Sequence, residues 1–99
     1  MKDEFIKSIG TWGRRHYNYL KKHNPTVIDV MRMNETLEQY MRDIDRDAEE
    51  MFSQLVKQFS DAEGITEGIK TENQLLWVQC MNNIRNRAAE IVCAELIYA

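Results

Sequence analysis

His16 and His23 stand seven residues apart, and Asp43 and Asp47 four apart, in stretches of helical periodicity. Each spacing puts its pair on one helix face. The two histidines are then two turns, roughly 10 Å, from each other, too far to share a metal ion unaided. The two aspartates have a spacing that some two-metal sites use, but a solvated acidic face explains them more simply. No HExxH, CxxC, P-loop or nucleophile-elbow pattern occurs in the 99 residues. The expectation is a non-enzyme with no catalytic residue, metal site or cofactor, working by binding.

Three groups of residues suit binding. In the run Arg14 to His23, helical spacing sets Arg14, Asn18 and Lys21 on one face with Arg15 and Lys22 beside it. Trp12, His16 and Tyr19 fall on another face, so the helix could dock by its aromatics and grip nucleic-acid phosphates with its cations. The competing reading is an aromatic core and a merely solvated basic face. The second group is acidic: Asp45 lies with Glu38 and Glu49 on one flank of a long helix, and Asp43 and Asp47 near another with Glu50. Such carboxylates can imitate phosphates or steer a basic partner, or simply keep the helix in solution. The third is a polar block, Asn82, Asn83, Arg85, Asn86 and Arg87, where a solvent-facing helix would usually carry Glu and Lys. It either caps the ends of helices lying across it or contacts a partner.

These groups are carried by helices throughout, with no alternating strand pattern. A short turn bears Phe5, Ile6 and Ile9 and stops at Gly10. Thr11 can cap a helix from Trp12 to about Lys22, and Asn24-Pro25 starts a short one to about Met33. The two have a helix-turn-helix outline, but only Thr26, Asp29 and Arg32 could face a base, so the second reads as a packing helix. Asn34 is expected to cap a long helix, Glu35 to Glu63, whose Leu37, Met41, Ile44, Ala48, Met51 and Leu55 form a coiled-coil seam. Gly64-Ile65 fits its C-cap. Either Thr66 or a capping box of Thr71 and Gln74 starts the last helix, where Trp77, Met81, Ile84, Ala88 and Ile91 repeat the spacing.

Folding the two about residues 64–68 pairs positions whose numbers sum to about 132, so that Met51 meets Met81 and Met41 meets Ile91. The expected fold is thus all-α: one domain, 1–99, with short basic helices in 1–33 packed on a long antiparallel hairpin in 34–99 (arms about 35–63 and 66–97).

Charge is asymmetric along the chain. Residues 1–23 hold six Lys/Arg against Asp3 and Glu4, a net +4, while residues 34–63 hold nine acids against Arg42, Arg46 and Lys57, a net −6. A basic head and an acidic body suit two binding surfaces, or a homodimer in which one head docks on the other body. Cys80 and Cys93, thirteen apart on one helix, are separated by roughly 20 Å and cannot bond to each other. Free thiols, no membrane span and no secretory signal pattern give the expectation of a cytoplasmic protein.

The runs EGITEGIK (63–70) and LLWVQCMNNIRNRAAEIVCAELIYA (75–99) closely resemble the C-terminal region of the transposon-encoded TnpV family of bacterial mobile elements. Upstream, WGRRHYNYLKKHNP (12–25) resembles that family's Gly-Arg…Tyr-Leu-Lys segment, so the likeness covers most of residues 10–99. The resemblance implies an accessory protein without established enzymatic activity, and an excisionase-like, DNA-binding role. Two functions are therefore expected in order. The first is a regulatory protein of a mobile element that binds protein partners of recombination, and DNA or RNA. The second is an inhibitor of a host defence complex, of the anti-CRISPR type, acting through its acidic helical surface.

Overall fold

The computed structural model of the chain describes residues 4–98; the charges at Lys2 and Asp3 lie outside them. All regular structure among those residues is helical, as expected. A 3-10 turn, Glu4–Lys7, leads into α1 (Thr11–His23), α2 (Pro25–Met33), α3 (Leu37–Ala62), α4 (Glu67–Glu72) and α5 (Gln74–Val92). A π-helical turn, Cys93–Ile97, continues α5.

Both ends of the acidic helix depend on left-handed residues. Asn34 does not cap α3 as expected; it closes α2, with its N–H directed to the carbonyls of Arg32 and Val30. Glu35 follows at φ +60°, its N–H reaching Arg32 O at 3.2 Å, while the Thr36 N–H reaches Met31 O at 2.9 Å. The same pair of bonds ends α3, from Gly64 (φ +70°) to Asp61 O at 3.3 Å and from Ile65 to Ser60 O at 2.9 Å. Each is the double bond by which a left-handed residue stops a helix and satisfies its last carbonyls. The stop at Gly64-Ile65 matches the sequence reading. The one at Glu35 was hidden because an acidic side chain stands where glycine usually does.

The second arm of the expected hairpin is broken. α4 starts at Thr66 and ends after one and a half turns, and Asn73 takes an extended ψ of 86°. Its side-chain oxygen accepts from Leu76 N–H at 3.1 Å and caps α5, so Asn73 does the work assigned to Thr71 and Gln74. The added corner moves the register. Ser60 rather than Met51 meets Met81, with its hydroxyl 3.6 Å from the sulfur, and Ala48 shares a buried cluster with Val92. Position numbers therefore sum to about 140 rather than 132 where α3 and α5 run antiparallel.

The seam of α3 is consequently divided between two partners. Leu37 and Met41 pack with Ile9, Tyr17 and Ile28, under Phe5, Ile6, Leu20 and Met31, and not against Ile91. Ile44, Ala48, Met51 and Leu55 pack with Trp12, Val92 and Ile97. Along α5 the buried positions are Met81, Ile84, Ala88 and Val92, whereas Ile91 is exposed. A straight helix of 3.6 residues per turn drifts off a seven-residue repeat, and by the end of α5 that drift has exchanged Ile91 for Val92. The π-helical turn then brings Ile97 fully inside. The molecule is long and thin, 55 × 23 × 18 Å, with a radius of gyration of 16.9 Å where a compact chain of this size has about 13 Å.

Candidate functional site

α1 lies across the first half of α3, and its register is held at four residues. Gly10 precedes the helix and offers no capping side chain, but Asp45 of α3 supplies one, its Oδ1 accepting from the Gly13 N–H at 2.9 Å. A carboxylate against the free N–H groups of a helix start satisfies them and meets the positive end of the helix dipole. Both glycines are needed for this approach. A Cβ on Gly10 would lie 2.7 Å from Asp45 Oδ1, and one on Gly13 would lie 3.0 Å from Met41 O.

One turn further along α3, Glu49 Oε2 accepts from the Trp12 indole at 2.9 Å, and the Trp12 ring packs on Phe52. His16, 4% exposed, bridges three elements: Nδ1 is 2.8 Å from Ile97 O and Nε2 is 2.9 Å from Tyr40 Oη. A carbonyl only accepts, so Nδ1 carries a proton, and in the neutral ring the Tyr40 hydroxyl donates to Nε2. Burial holds the Tyr40 phenol above its ordinary value of 10.0. The expected docking of Trp12 and His16 is thus met. Tyr17, which the sequence reading left out of the core, is buried as well.

The opposite face of α1 carries Arg14, Asn18, Lys21 and Lys22, all exposed. Among the described residues, Arg14, Lys21 and Lys22 pair with no carboxylate. Lys21, Lys22 and His23 also sit in the last turn, where cations complement the helix dipole. Arg15 is set apart. Its guanidinium lies 5.3 Å from the Trp12 ring centroid and donates to Cys93 Sγ at 3.7 Å, so it faces α5 rather than the free side. In α2, Arg32 is tied to Asp29 at 3.0 Å, which leaves the expected packing helix with little to offer a base.

The three aspartates of the acidic group do not form one surface. Asp45 turns inward to α1, while Asp43 and Asp47 share the guanidinium of Arg46, both at 3.3 Å. Asp43 also accepts from Gln39 at 2.8 Å, and Glu38 is paired with Arg42 at 2.9 Å. Side chains two apart on a helix point to nearly opposite sides, so the group divides on geometry alone.

The polar block divides too. Arg87 reaches across to Glu63, its Nη2 at 2.9 and 2.7 Å from the two carboxylate oxygens, and lies 5.2 Å from the Phe59 ring. It pins α5 to the end of α3, and does not pair with Glu90 along its own helix. Asn82, Asn83, Arg85 and Asn86 are exposed and cap no N-terminal helix. Among the described residues, no three His, Cys, Asp or Glu side chains are grouped as metal ligands. No helix among them is long and apolar enough to cross a membrane.

The residues that anchor α1 were the hardest to foresee. Two glycines at one helix start, with a histidine among the aromatics of the inward face, are the only local signs of them.

Fold and surface together define a small all-helical protein whose free chemistry lies on its outward faces. The chain belongs to the family of the transposon-encoded protein TnpV, whose model matches residues 1–97. The match begins ahead of the Gly-Arg segment, so the likeness takes in residues 1–9 as well. Neither a curated relative nor a solved structure matches the chain.

Proposed function

We propose that this transposon-associated chain is a non-catalytic accessory protein of a bacterial mobile element, acting in the cytoplasm. It binds protein partners of recombination and holds nucleic acid through the basic face of α1. One observation carries the nucleic-acid part of this reading. Arg14, Lys21 and Lys22 stay exposed, and among the described residues pair with no carboxylate, on a helix whose other face is fixed by Asp45, Glu49, Tyr40 and Ile97. A rigid row of unneutralised cations suits phosphate contact, which gives affinity and register without reading sequence. Titration of a labelled DNA duplex at low and moderate salt tests it, with charge reversal at Arg14, Lys21 and Lys22 as the control.

The second reading, an inhibitor of a host defence complex presenting an acidic surface, has less support. The carboxylates of Glu38, Asp43, Asp45 and Asp47 are engaged within the chain. Recovery of a nuclease or guide-RNA complex on the immobilised protein, lost when Asp43 and Asp47 become Lys, would favour it.

A further inference from the structure

α5 carries a second face that the fold leaves uncovered. About a third of a turn round from Met81 and Ile84, the side chains of Leu75, Val78, Asn82, Asn86, Ala89 and Cys93 make one stripe. Leu75 is 68% exposed and Val78 38%, so the first half of the stripe presents apolar groups to solvent. The second half forms the floor of an open groove of about 720 Å³, walled by Arg15 of α1 and by Tyr98. One end thus offers large apolar side chains, and the other small residues at the bottom of a channel.

We propose that a second copy of this chain docks on this face, α5 against α5 and antiparallel, so that Leu75 and Val78 of each protomer enter the groove of the other. The stripe is self-complementary about a two-fold axis lying between Asn82 and Asn86, as a closed dimer requires. Leu75 then falls opposite Cys93, and Val78 within one residue of Ala89, so that large residues meet small ones. Asn82 falls opposite Asn86, and two amides facing each other can each donate and accept. Paired asparagines in an otherwise apolar seam fix register and orientation, which accounts for the polar residues in the middle of this helix.

Charge agrees. Glu72, which ends α4 three residues before Leu75, has no cationic partner among the described residues, and Arg15 has no carboxylate. The antiparallel arrangement brings them together at both ends of the seam. Size is the remaining requirement: a standard dimer buries about 800 Å² per partner, roughly an eighth of the 6798 Å² that the chain exposes, and the seam runs the 19 residues of α5, about 28 Å.

Sedimentation velocity on the full chain across micromolar concentrations tests this, with circular dichroism to verify that each variant is folded. The wild type is expected to sediment as a dimer, and Leu75→Glu, an exposed site, as a monomer with a dissociation constant about tenfold higher or more. Arg15→Glu and Glu72→Arg should each weaken the dimer, and the double charge swap should restore it. In a Cys80→Ser background, Leu75→Cys should form an intermolecular disulfide with the native Cys93 under mild oxidant, whereas Gln54→Cys should not. A wild type that stays monomeric would overturn the proposal. So would a dimer that Leu75→Glu leaves intact, or one that gives no crosslink from position 75.

Discussion

The Asp45 carboxylate of α3 caps a helix that belongs to a different part of the chain, accepting from the Gly13 N–H at 2.9 Å. Gly10, whose side chain would stand 2.7 Å from Asp45 Oδ1 if it had one, keeps the approach open. The contact spans 32 residues of sequence and sets where the basic helix begins on the acidic one.

Replacing Asp45 by Ala should destabilise the protein by about 1–2 kcal/mol, the usual worth of a cap together with its charge at a helix start. For a domain of this size that lowers the melting temperature by roughly 4–16 °C. Gly10→Ala should cost a similar amount by displacing the carboxylate, and the double variant should lose little more than either single one. Additive losses in thermal melts would show that the two residues act separately.

His16 joins α1 to Tyr40 of α3 and to the carbonyl of Ile97 in the π-helical turn. His16→Phe removes both bonds and leaves a buried carbonyl unpaired, which should cost about 2–4 kcal/mol in denaturant melts. Tyr40 adds a pH dependence with a definite sign. Its phenol is held above 10.0 in the folded state by burial, so the native chain keeps a proton that the unfolded chain has lost. That contribution is whole below about pH 10 and is lost as pH rises through the higher native value. Tyr40→Phe should therefore flatten the alkaline fall in stability measured between pH 9 and about 11.

The two left-handed helix stops should respond oppositely to glycine chemistry. Glu35 stands at φ +60°, a conformation costing a non-glycine residue roughly 1 kcal/mol, so Glu35→Gly should stabilise by about 0.5–1 kcal/mol. Gly64→Ala should destabilise by about 1 kcal/mol, from backbone strain alone, because a Cβ there meets nothing within 4 Å. Equal signs for the two variants in urea melts would contradict this account.

Helix content and most boundaries were legible in the sequence because periodicity, Pro25 and Gly64 are local signals. The register between α3 and α5 was not, since it depends on one extra corner. Asn73 breaks what looked like a continuous arm, and every partner across the two helices shifts by about eight residues, a little over two turns. Among the site residues, Arg14, Asn18, Lys21 and Lys22 lie together on the outward side of α1, as their spacing alone suggests. Arg15, Arg87 and Asp45 could not be separated from their groups by spacing. Each is engaged by a residue distant in sequence: Cys93, Glu63 and Gly13.

The proposed nucleic-acid face is tested most directly by the salt dependence of duplex DNA binding, followed by fluorescence anisotropy. Three cations on phosphates predict that log K falls with log salt at a slope of about −3. Reversing Arg14, Lys21 and Lys22 to Glu should abolish binding while circular dichroism shows the chain still folded, since these side chains pair with no carboxylate among the described residues and the two lysines contribute only to the dipole at the end of α1. Absence of binding at low salt, or an unchanged slope in the triple variant, would contradict the assignment.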